Sequence, residues 1–364
     1  MIVRDSQDST GPGRAMATLV LPHVAAMRGY VPGEQPADDA FIKLNTNENP
    51  YPPSDRVRQA IAAACEDLVL YPDPSAREVR RCAADLYGVD PDGILVGNGS
   101  DELLSIIVRA TVAPGRGVAY PVPTYSLYDT LVALQGARPI RIPFGPGYTL
   151  PARLETADAR LIFVCNPNAP SGTMVPVAGI EALARRCADR VVVIDEAYVD
   201  FAEDNDLPLV GRVPNVVVLR TLSKSYSLAG LRVGLAFTSA ALAGQLHKVR
   251  DSYNVSRIAQ AGALAALQDQ TAMREHVDRV RVTRERLTVA LRDLGFEVPP
   301  SQANFVLARR PGEDLSSLAA GLRGRGILVR AFAELPDALR ITVGTGRQVE
   351  ALVVALRELL LVSR

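Results

Sequence analysis

The sequence has neither an excess of one charge nor a long apolar run. Its 364 residues carry 40 basic and 40 acidic side chains, so the formal net charge is zero. A neutral chain lacks the electrostatic signature of binding to nucleic acid or to a membrane surface. No apolar run approaches the length of a membrane span, and residues 1–14 are polar rather than a signal-peptide core. We therefore expect a cytoplasmic protein with neither nucleic acid nor membrane as a partner.

Histidine and cysteine are scarce. The three histidines lie far apart, and we therefore expect no metal site. The four cysteines are scattered through mostly apolar patterns, which indicates buried thiols in a reducing compartment rather than disulfides. They are Cys65, Cys82, Cys165 and Cys187.

Lysine is scarce as well, because only Lys43, Lys224 and Lys248 occur. Lys224 follows residues 216–219, an apolar and β-branched run that predicts a buried strand. Arginine stays charged in proteins, whereas a lysine removed from water can lose its proton and form a Schiff base. A surface lysine after a strand would leave the same local pattern, so the rest of the chain must decide between the two.

Strand-like runs alternate with helical stretches over residues 94–219. Such alternation predicts a mainly parallel sheet in an α/β fold, whose ligands bind at the carboxyl ends of the strands. Five chemically distinct groups follow predicted strands, where packing alone does not explain them. They are Gly99, Tyr125, Asn168, Asp195 and Lys224.

The turn at residues 97–102 joins a predicted strand to a predicted helix. Free backbone N–H groups and the helix dipole at such a turn favour a phosphate. The glycines do not follow the pattern GxGxxG, and no acidic residue stands where a ribose contact needs one, so a dinucleotide is disfavoured. An ordinary capped helix remains the alternative on this segment alone.

The end of the chain reads as a small α+β domain, because strands and helices alternate again over residues 295–364. A long helical region at residues 256–294 leads into it. The remaining helices are predicted at residues 55–68, 75–87, 103–110, 177–188, 315–323 and 347–360.

The groups at the strand ends can hold an aldehyde cofactor as an imine on Lys224. Such a cofactor acts as an electron sink, which requires an anion at its ring nitrogen, and Asp195 suits this role. Tyr198, three residues on, can lie near the ring oxygen, and Tyr125 can stack on the ring. Taken singly, a strand-end aspartate is often a cap and an arginine a surface ion-pair partner. Candidate donors to the cofactor's phosphate are the amides of Ser100 and Asp101, the Ser223 hydroxyl and the Arg232 guanidinium.

From about Tyr30 to Leu360 the chain resembles the pyridoxal-phosphate-dependent aminotransferases of the aspartate-aminotransferase-like fold, and most closely the histidinol-phosphate aminotransferases. The resemblance implies fold type I: a large cofactor-binding domain with a mainly parallel seven-stranded sheet, and a small α+β domain. The domains would be a disordered tail at 1–18, an arm joining the small domain at 19–45, the large domain at 46–258 and the small domain at 259–364. The most specific motifs lie at residues 30–33, 45–53, 70–74, 97–102, 195–201, 221–234, 251–255 and 339–345.

The resemblance also implies a role for each candidate residue. Lys224 would be the Schiff-base lysine, Asp195 would pair with the pyridine nitrogen and Tyr198 with the ring hydroxyl. Tyr71 would reach the phosphate of the cofactor in the partner subunit, which makes a homodimer necessary for the site. The phosphate ligands would be Ser100, Asp101, Ser223 and Arg232, the stacking residue Tyr125, and the substrate contacts Tyr30, Arg330 and Arg340.

One motif departs from the family. The relatives usually have Asn-Pro-Thr-Gly after the strand at residues 161–165, with the asparagine on the ring hydroxyl, and Ala169 occupies that position here. We expect Asn168, one position earlier, to take the role, although the contact could also be absent. The first fifteen residues have no counterpart in the family.

The expected reaction is transamination between histidinol phosphate and 2-oxoglutarate in histidine biosynthesis. An aromatic or phenylalanine aminotransferase, a threonine-phosphate decarboxylase or a paralogue in specialised metabolism could use the same arginines. A non-catalytic, ligand-binding regulator on the same fold is a different class, but it would not need Lys224. A nucleotide-binding dehydrogenase is disfavoured by the missing glycine pattern.

Overall fold

The structure is a computed structural model that describes residues 19–36 and 40–362, without the side chain of residue 362. The tail predicted at residues 1–18 lies outside the described residues. The described strands are β1 (Ile42–Leu44), β2 (Ile94–Gly97), β3 (Gly117–Val122), β4 (Arg138–Pro143), β5 (Leu161–Cys165), β6 (Val191–Asp195), β7 (Val216–Thr221), β8 (Gly234–Phe237), β9 (Phe305–Arg309), β10 (Ile327–Phe332) and β11 (Leu335–Thr342).

The larger sheet has seven strands in the order β2-β8-β7-β6-β5-β3-β4. Strand β8 runs antiparallel to both of its neighbours, and the other pairs are parallel. The predicted α/β fold with a mainly parallel seven-stranded sheet is therefore confirmed.

The central strands are apolar throughout because both faces of the sheet are covered. Along β5, Leu161, Phe163 and Cys165 face one hydrophobic core, and Ile162 and Val164 face the other. Strand β7 divides its valines between the same two cores. Side chains of a strand alternate between the faces, so a run without polar interruption can be buried on both sides.

Helices cover both faces of this sheet and lie near their predicted positions. The helix predicted at residues 103–110 begins earlier, at Ser100. The helical region predicted at residues 256–294 is two helices, because the side chain of Asp269 accepts a hydrogen bond from the Ala272 amide at 3.4 Å and caps the second one. The described helices are α1 (Pro22–Ala26), α2 (Asp55–Ala64), α3 (Arg77–Tyr87), α4 (Ser100–Thr111), α5 (Leu127–Leu134), α6 (Arg153–Thr156), α7 (Val177–Arg186), α8 (Ala240–Leu246), α9 (Arg257–Leu267), α10 (Gln270–Asp293), α11 (Ser316–Gly324) and α12 (Gly346–Val362).

The smaller sheet has the order β1-β10-β11-β9. Strand β1 belongs to the N-terminal arm and pairs in parallel with β10, while the other two pairs are antiparallel. Helix α9 packs on α2 and α3, and its residues Ala259 and Ala263 share a core with Val57 and Val79 of those helices. Helix α9 is therefore packed in the core of the large domain. It begins at Arg257, beside the domain boundary predicted at residue 258, and that boundary stays a prediction.

No helix among the described residues combines the length and the apolarity that crossing a bilayer requires. The same residues contain no group of three or more histidine, cysteine or acidic side chains that could hold a metal ion. All four cysteines are free: Cys165 and Cys187 are buried as expected, Cys82 is half-buried and Cys65 is exposed.

Truncation of Leu104 tests the packing of α4 on the large sheet. Leu104 is fully buried, and we expect Leu104→Ala to lower the free energy of unfolding by about 2–5 kcal/mol, because it leaves a cavity. Leu134→Ala, at a leucine that is 50% exposed, is the matched control and should cost less than about 1 kcal/mol. Urea unfolding followed by circular dichroism measures both, and equal losses would contradict this packing.

Candidate active site

A cavity of about 1000 Å³ lies between the carboxyl ends of the large sheet and the small sheet. Parallel strands bring their carboxyl ends to one edge, so side chains from distant parts of the sequence meet there. Eleven of the thirteen candidate residues line it: Tyr30, Ser100, Asp101, Tyr125, Asp195, Tyr198, Ser223, Lys224, Arg232, Arg330 and Arg340.

Lys224 stands in the turn after β7, with its side chain at the cavity. Asn49 fixes this turn by donating its side-chain amide to the carbonyl oxygens of Lys224 at 2.9 Å and Ser225 at 3.2 Å. Burial lowers the pKa of Lys224 to about 8, and the positive charge of Arg340 acts in the same direction. A larger share of the amine is therefore neutral near pH 7, which is the form that attacks an aldehyde.

Asp195 is the last residue of β6 and is buried beneath the cavity. Its Oδ2 accepts a hydrogen bond from the Tyr128 hydroxyl at 2.9 Å, and its Oδ1 accepts one from the Ala197 amide at 3.2 Å. Burial raises the pKa of Asp195 to about 6, while the bond from Tyr128 opposes the rise. Tyr128 was missed from the sequence, although its spacing of one helical turn from Tyr125 could have suggested it.

The start of α4 forms a site for an anion. Gly99 precedes the helix with φ +84°, and the first N–H groups of the helix have no partner within it. Arg232 lies alongside, with Nη2 at 3.2 Å from Asp101 Oδ2 and Nη1 at 3.4 Å from Ser223 Oγ. The positive φ at residue 99 favours glycine, and a Cβ there would also lie 2.4 Å from Arg232 Nη2, so that this guanidinium would have to move. Helix amides, a hydroxyl and a guanidinium together suit a phosphate.

Tyr125 forms an aromatic wall of the cavity. Its ring packs edge-on against Tyr30, with centroids 6.2 Å apart, and against Tyr128, at 5.7 Å. Its hydroxyl donates to Asp101 Oδ1 at 3.3 Å, which ties the ring to the start of α4. A planar cofactor ring can stack against such a fixed aromatic side chain.

Arg330 and Arg340 lie directly opposite each other on the antiparallel strands β10 and β11. The guanidinium of Arg330 donates to the carbonyl oxygens of Val31 at 3.2 Å and Pro32 at 3.3 Å. Arg340 donates from Nη2 to the Asn45 carbonyl at 3.0 Å, but its buried Nε has no partner among the described residues. Two neighbouring guanidinium groups repel each other, so a bound anion between them is favourable.

Two predicted residues lie outside the cavity lining. Asn168 uses its side-chain amide on Pro123 O at 3.1 Å and Ser171 Oγ at 2.9 Å, and its Oδ1 accepts from Thr124 Oγ1 at 2.9 Å. These hydrogen bonds hold the Asn168 side chain away from the cavity, and Ala169 lines the cavity instead.

Tyr71 is 76% exposed and stacks on Tyr253, with centroids 4.5 Å apart, outside the cavity. Tyr71 therefore does not line the cavity of its own subunit.

The residues that line the cavity fit pyridoxal phosphate. They supply an amine with a lowered pKa for its aldehyde, a buried carboxylate for its ring nitrogen, and an anion site for its phosphate.

Replacement of Lys224 tests the burial of its ammonium in the cofactor-free protein. We expect Lys224→Met to stabilise the fold at pH 7 by on the order of 1 kcal/mol, because it removes a buried charge. The pKa of Lys224 is about 8 when folded and about 10.5 when unfolded, so between these values the unfolded chain binds more protons and wild-type stability rises with pH. The advantage of Lys224→Met should therefore shrink across this window. Urea unfolding at stepped pH measures it.

The control for this measurement is Lys248→Met, at an exposed lysine, which should change little at any pH. An advantage of Lys224→Met that grows as the pH rises would contradict the lowered pKa.

Comparison with known proteins agrees with the site. The family model of class I and II aminotransferases matches residues 39–356. The chain is 48% identical to a histidinol-phosphate aminotransferase from Citrifermentans bemidjiense, over 93% of this chain and 97% of the relative. It is 45% identical to one from Microcystis aeruginosa, over 91% and 95% of the two chains.

Solved structures give the same result. Histidinol-phosphate aminotransferase from Sinorhizobium meliloti, in complex with pyridoxal-5'-phosphate, superposes with a TM-score of 0.83 at 29% identity, over 89% of this chain and 92% of that one. An aspartate aminotransferase from Thermus thermophilus superposes with a TM-score of 0.80 at 23% identity, over 94% and 99% of the chains, and shares the fold. The chain belongs to the family of class I and II aminotransferases, which use pyridoxal phosphate.

Proposed function

We propose that this enzyme transfers an amino group from histidinol phosphate to 2-oxoglutarate, in histidine biosynthesis. The observation that carries the proposal is the pair Arg330 and Arg340, which face each other at the cavity and leave the buried Nε of Arg340 without a partner among the described residues. The names of the relatives at 45–48% identity support the same reaction.

The cofactor, when bound, supplies an electron sink for the substrate's α-carbon. The buried carboxylate of Asp195 would keep the ring nitrogen protonated, and the Tyr198 hydroxyl would donate to the ring oxygen. The neutral amine of Lys224 accepts and returns the proton at the substrate carbon. Tyr125 would stack on the cofactor ring. The residues that would hold the cofactor's phosphate are Ser100, Asp101, Ser223 and Arg232.

Both substrates carry an anion that the two arginines can bind. Histidinol phosphate presents a phosphate ester, and 2-oxoglutarate presents a second carboxylate. A planar guanidinium binds either group through two parallel hydrogen bonds, so one pair of arginines can serve both half-reactions. Tyr30 closes the cavity beside them, and its phenol can contact the same ligand.

The enzyme is proposed to act as a homodimer with shared sites. Leu68, Val69, Leu70 and Tyr71 are 56–89% exposed in one continuous segment, and Tyr253 stacks beside them at 44% exposure. An apolar patch of this kind is typical of a protein interface. A second copy would cover it and bring Tyr71 to the cofactor phosphate of its partner.

We also propose a cytoplasmic location, since all four cysteines are free. A purely ligand-binding role on the same fold is disfavoured, because Lys224, Asp195 and Tyr198 meet in one cavity and a binder would not need all three.

Absorbance of the protein with added pyridoxal phosphate tests the substrate. We expect histidinol phosphate to bleach the visible band at a concentration at least about 100-fold lower than phenylalanine does, because its phosphate ester can pair with both arginines, whereas phenylalanine offers a single carboxylate of lower charge. Arg340→Gln should remove this preference, whereas Arg347→Gln, at an exposed arginine, should keep it.

A better response to phenylalanine, or release of carbon dioxide from threonine phosphate, would keep the cofactor and replace the substrate. The absence of any visible band would contradict the cofactor roles as well.

Mixed dimers test the shared site. Lys224→Ala and Tyr71→Ala subunits, unfolded and refolded together, should recover about a quarter of wild-type activity, since half of the dimers are hybrids with one intact site of two. Each variant refolded alone is the control and should stay well below that level. A mixture no more active than its components would show that Tyr71 does not serve the partner's site.

A further inference from the structure

Asn47 follows the arm by two residues, lines the cavity and is almost completely buried. Its side-chain Nδ2 donates a hydrogen bond to the Tyr198 hydroxyl at 3.0 Å. Across the described residues, this is the hydrogen bond that the structure gives the hydroxyl of Tyr198. A residue 151 positions away in sequence therefore sets the surroundings of that phenol.

The small domain holds Asn47 in place. Its backbone N–H donates to Thr342 Oγ1 at 2.9 Å, and its carbonyl oxygen accepts from Asn304 Nδ2 at 2.9 Å. Asn47 also has φ +57°, a left-handed conformation that asparagine adopts more readily than most residues. The backbone of residue 47 is thus held at both its N–H and its carbonyl oxygen, in a conformation that suits asparagine.

The same contacts decide which end of the amide faces Tyr198. The Thr342 hydroxyl accepts from the Asn47 backbone, and its own hydrogen goes to Asn47 Oδ1 at 3.1 Å. The amide oxygen is therefore used on the small-domain side, and the NH₂ group faces the phenol. Because the phenol oxygen accepts from Asn47, its own hydrogen is left to point elsewhere.

We propose that Asn47 is a positioning residue that directs the Tyr198 hydroxyl hydrogen into the cavity, toward the ring oxygen of the cofactor. The inference rests on the proposed role of Tyr198. It adds that the segment directly after the arm and the small domain control this hydrogen bond, although neither contributes the phenol.

The side chains of Asn168 and Ala169 make the direction of the Tyr198 hydroxyl more important. Asn168 spends its amide on Pro123 and Ser171, and Ala169 offers only a methyl group to the cavity. Of Asn168, Ala169 and Tyr198, only Tyr198 therefore has a side-chain donor free to reach a ring oxygen in the cavity. The direction in which the Tyr198 hydroxyl donates should therefore change the proton affinity of the bound cofactor.

The charged groups around Tyr198 come from both domains. Lys224 Nζ lies 5.9 Å from the centre of its ring, and Asp195 and Arg340 act on it from the large and small domains. Burial raises the pKa of Tyr198 to about 12, while Arg340 and the bond from Asn47 oppose the rise. The phenol is therefore protonated at neutral pH and able to donate.

The test is the apparent pKa of the visible absorbance of the protein loaded with pyridoxal phosphate. A donor to the ring oxygen stabilises its anionic form and lowers this pKa. Asn47→Asp turns the bond around, since a carboxylate accepts from the phenol, and should raise the pKa by about one pH unit, which is about tenfold in proton affinity. Asn47→Gly keeps the left-handed backbone, adds no charge and should raise the pKa by a smaller amount.

Both substitutions are repeated in a Tyr198→Phe background, where they should have little further effect, because the group through which Asn47 acts is gone. Asn47→Gly with a wild-type pKa would overturn the inference, since any shift in Asn47→Asp would then come from its charge alone. Equal shifts with and without the phenol would overturn it too. These results would leave the proposed function intact, whereas a wild-type protein without a pH-dependent band would overturn both.

Discussion

Burial of two ionisable groups at neighbouring strand ends is the constraint on which the site depends. The pKa of Asp195 rises to about 6 and that of Lys224 falls to about 8, and in each case loss of water is the largest cause. Both pKa values thereby lie closer to pH 7 than those of the same side chains in water, so a larger share of each group is neutral there. In the proposed roles, a cofactor with a protonated ring nitrogen and an aldehyde would give each group a partner in the cavity, which would offset the cost of burying it.

The small domain completes what the large domain begins. The large sheet supplies the groups that we propose hold the cofactor, while Arg330 and Arg340 come from the antiparallel pair β10 and β11. The arm connects the two parts, since β1 pairs with β10 and Asn45 accepts from Arg340. Movement of the small domain would therefore shift Asn47 together with the two arginines that we propose bind substrate, which would couple closure of the cavity to its chemistry.

The departure at Ala169 illustrates how a site can change one contact without losing its frame. The neighbouring Asn168 does not turn into the cavity, because Thr124, Pro123 and Ser171 already satisfy its amide. Turning it would leave buried polar groups unpaired, at a cost of about 1–3 kcal/mol each. A sequence shows that an asparagine is adjacent; it does not show that its hydrogen bonds are already in use.

The sequence by itself determined the local elements and the chemistry at their ends. The β-branched run before Lys224, the alternation of strands and helices, and the rule that parallel strands share a ligand edge predicted eight of the eleven candidate residues that line the cavity. The other three, Tyr30, Arg330 and Arg340, came from the resemblance to a known family. Only the tertiary structure decided that Tyr128 hydrogen-bonds to Asp195 and that Asn47 hydrogen-bonds to Tyr198. It also decided that Arg330 lies opposite Arg340 and that α9 packs on the large domain. Local propensity acts over a few residues, whereas these contacts follow from strand register and packing between segments far apart in the chain.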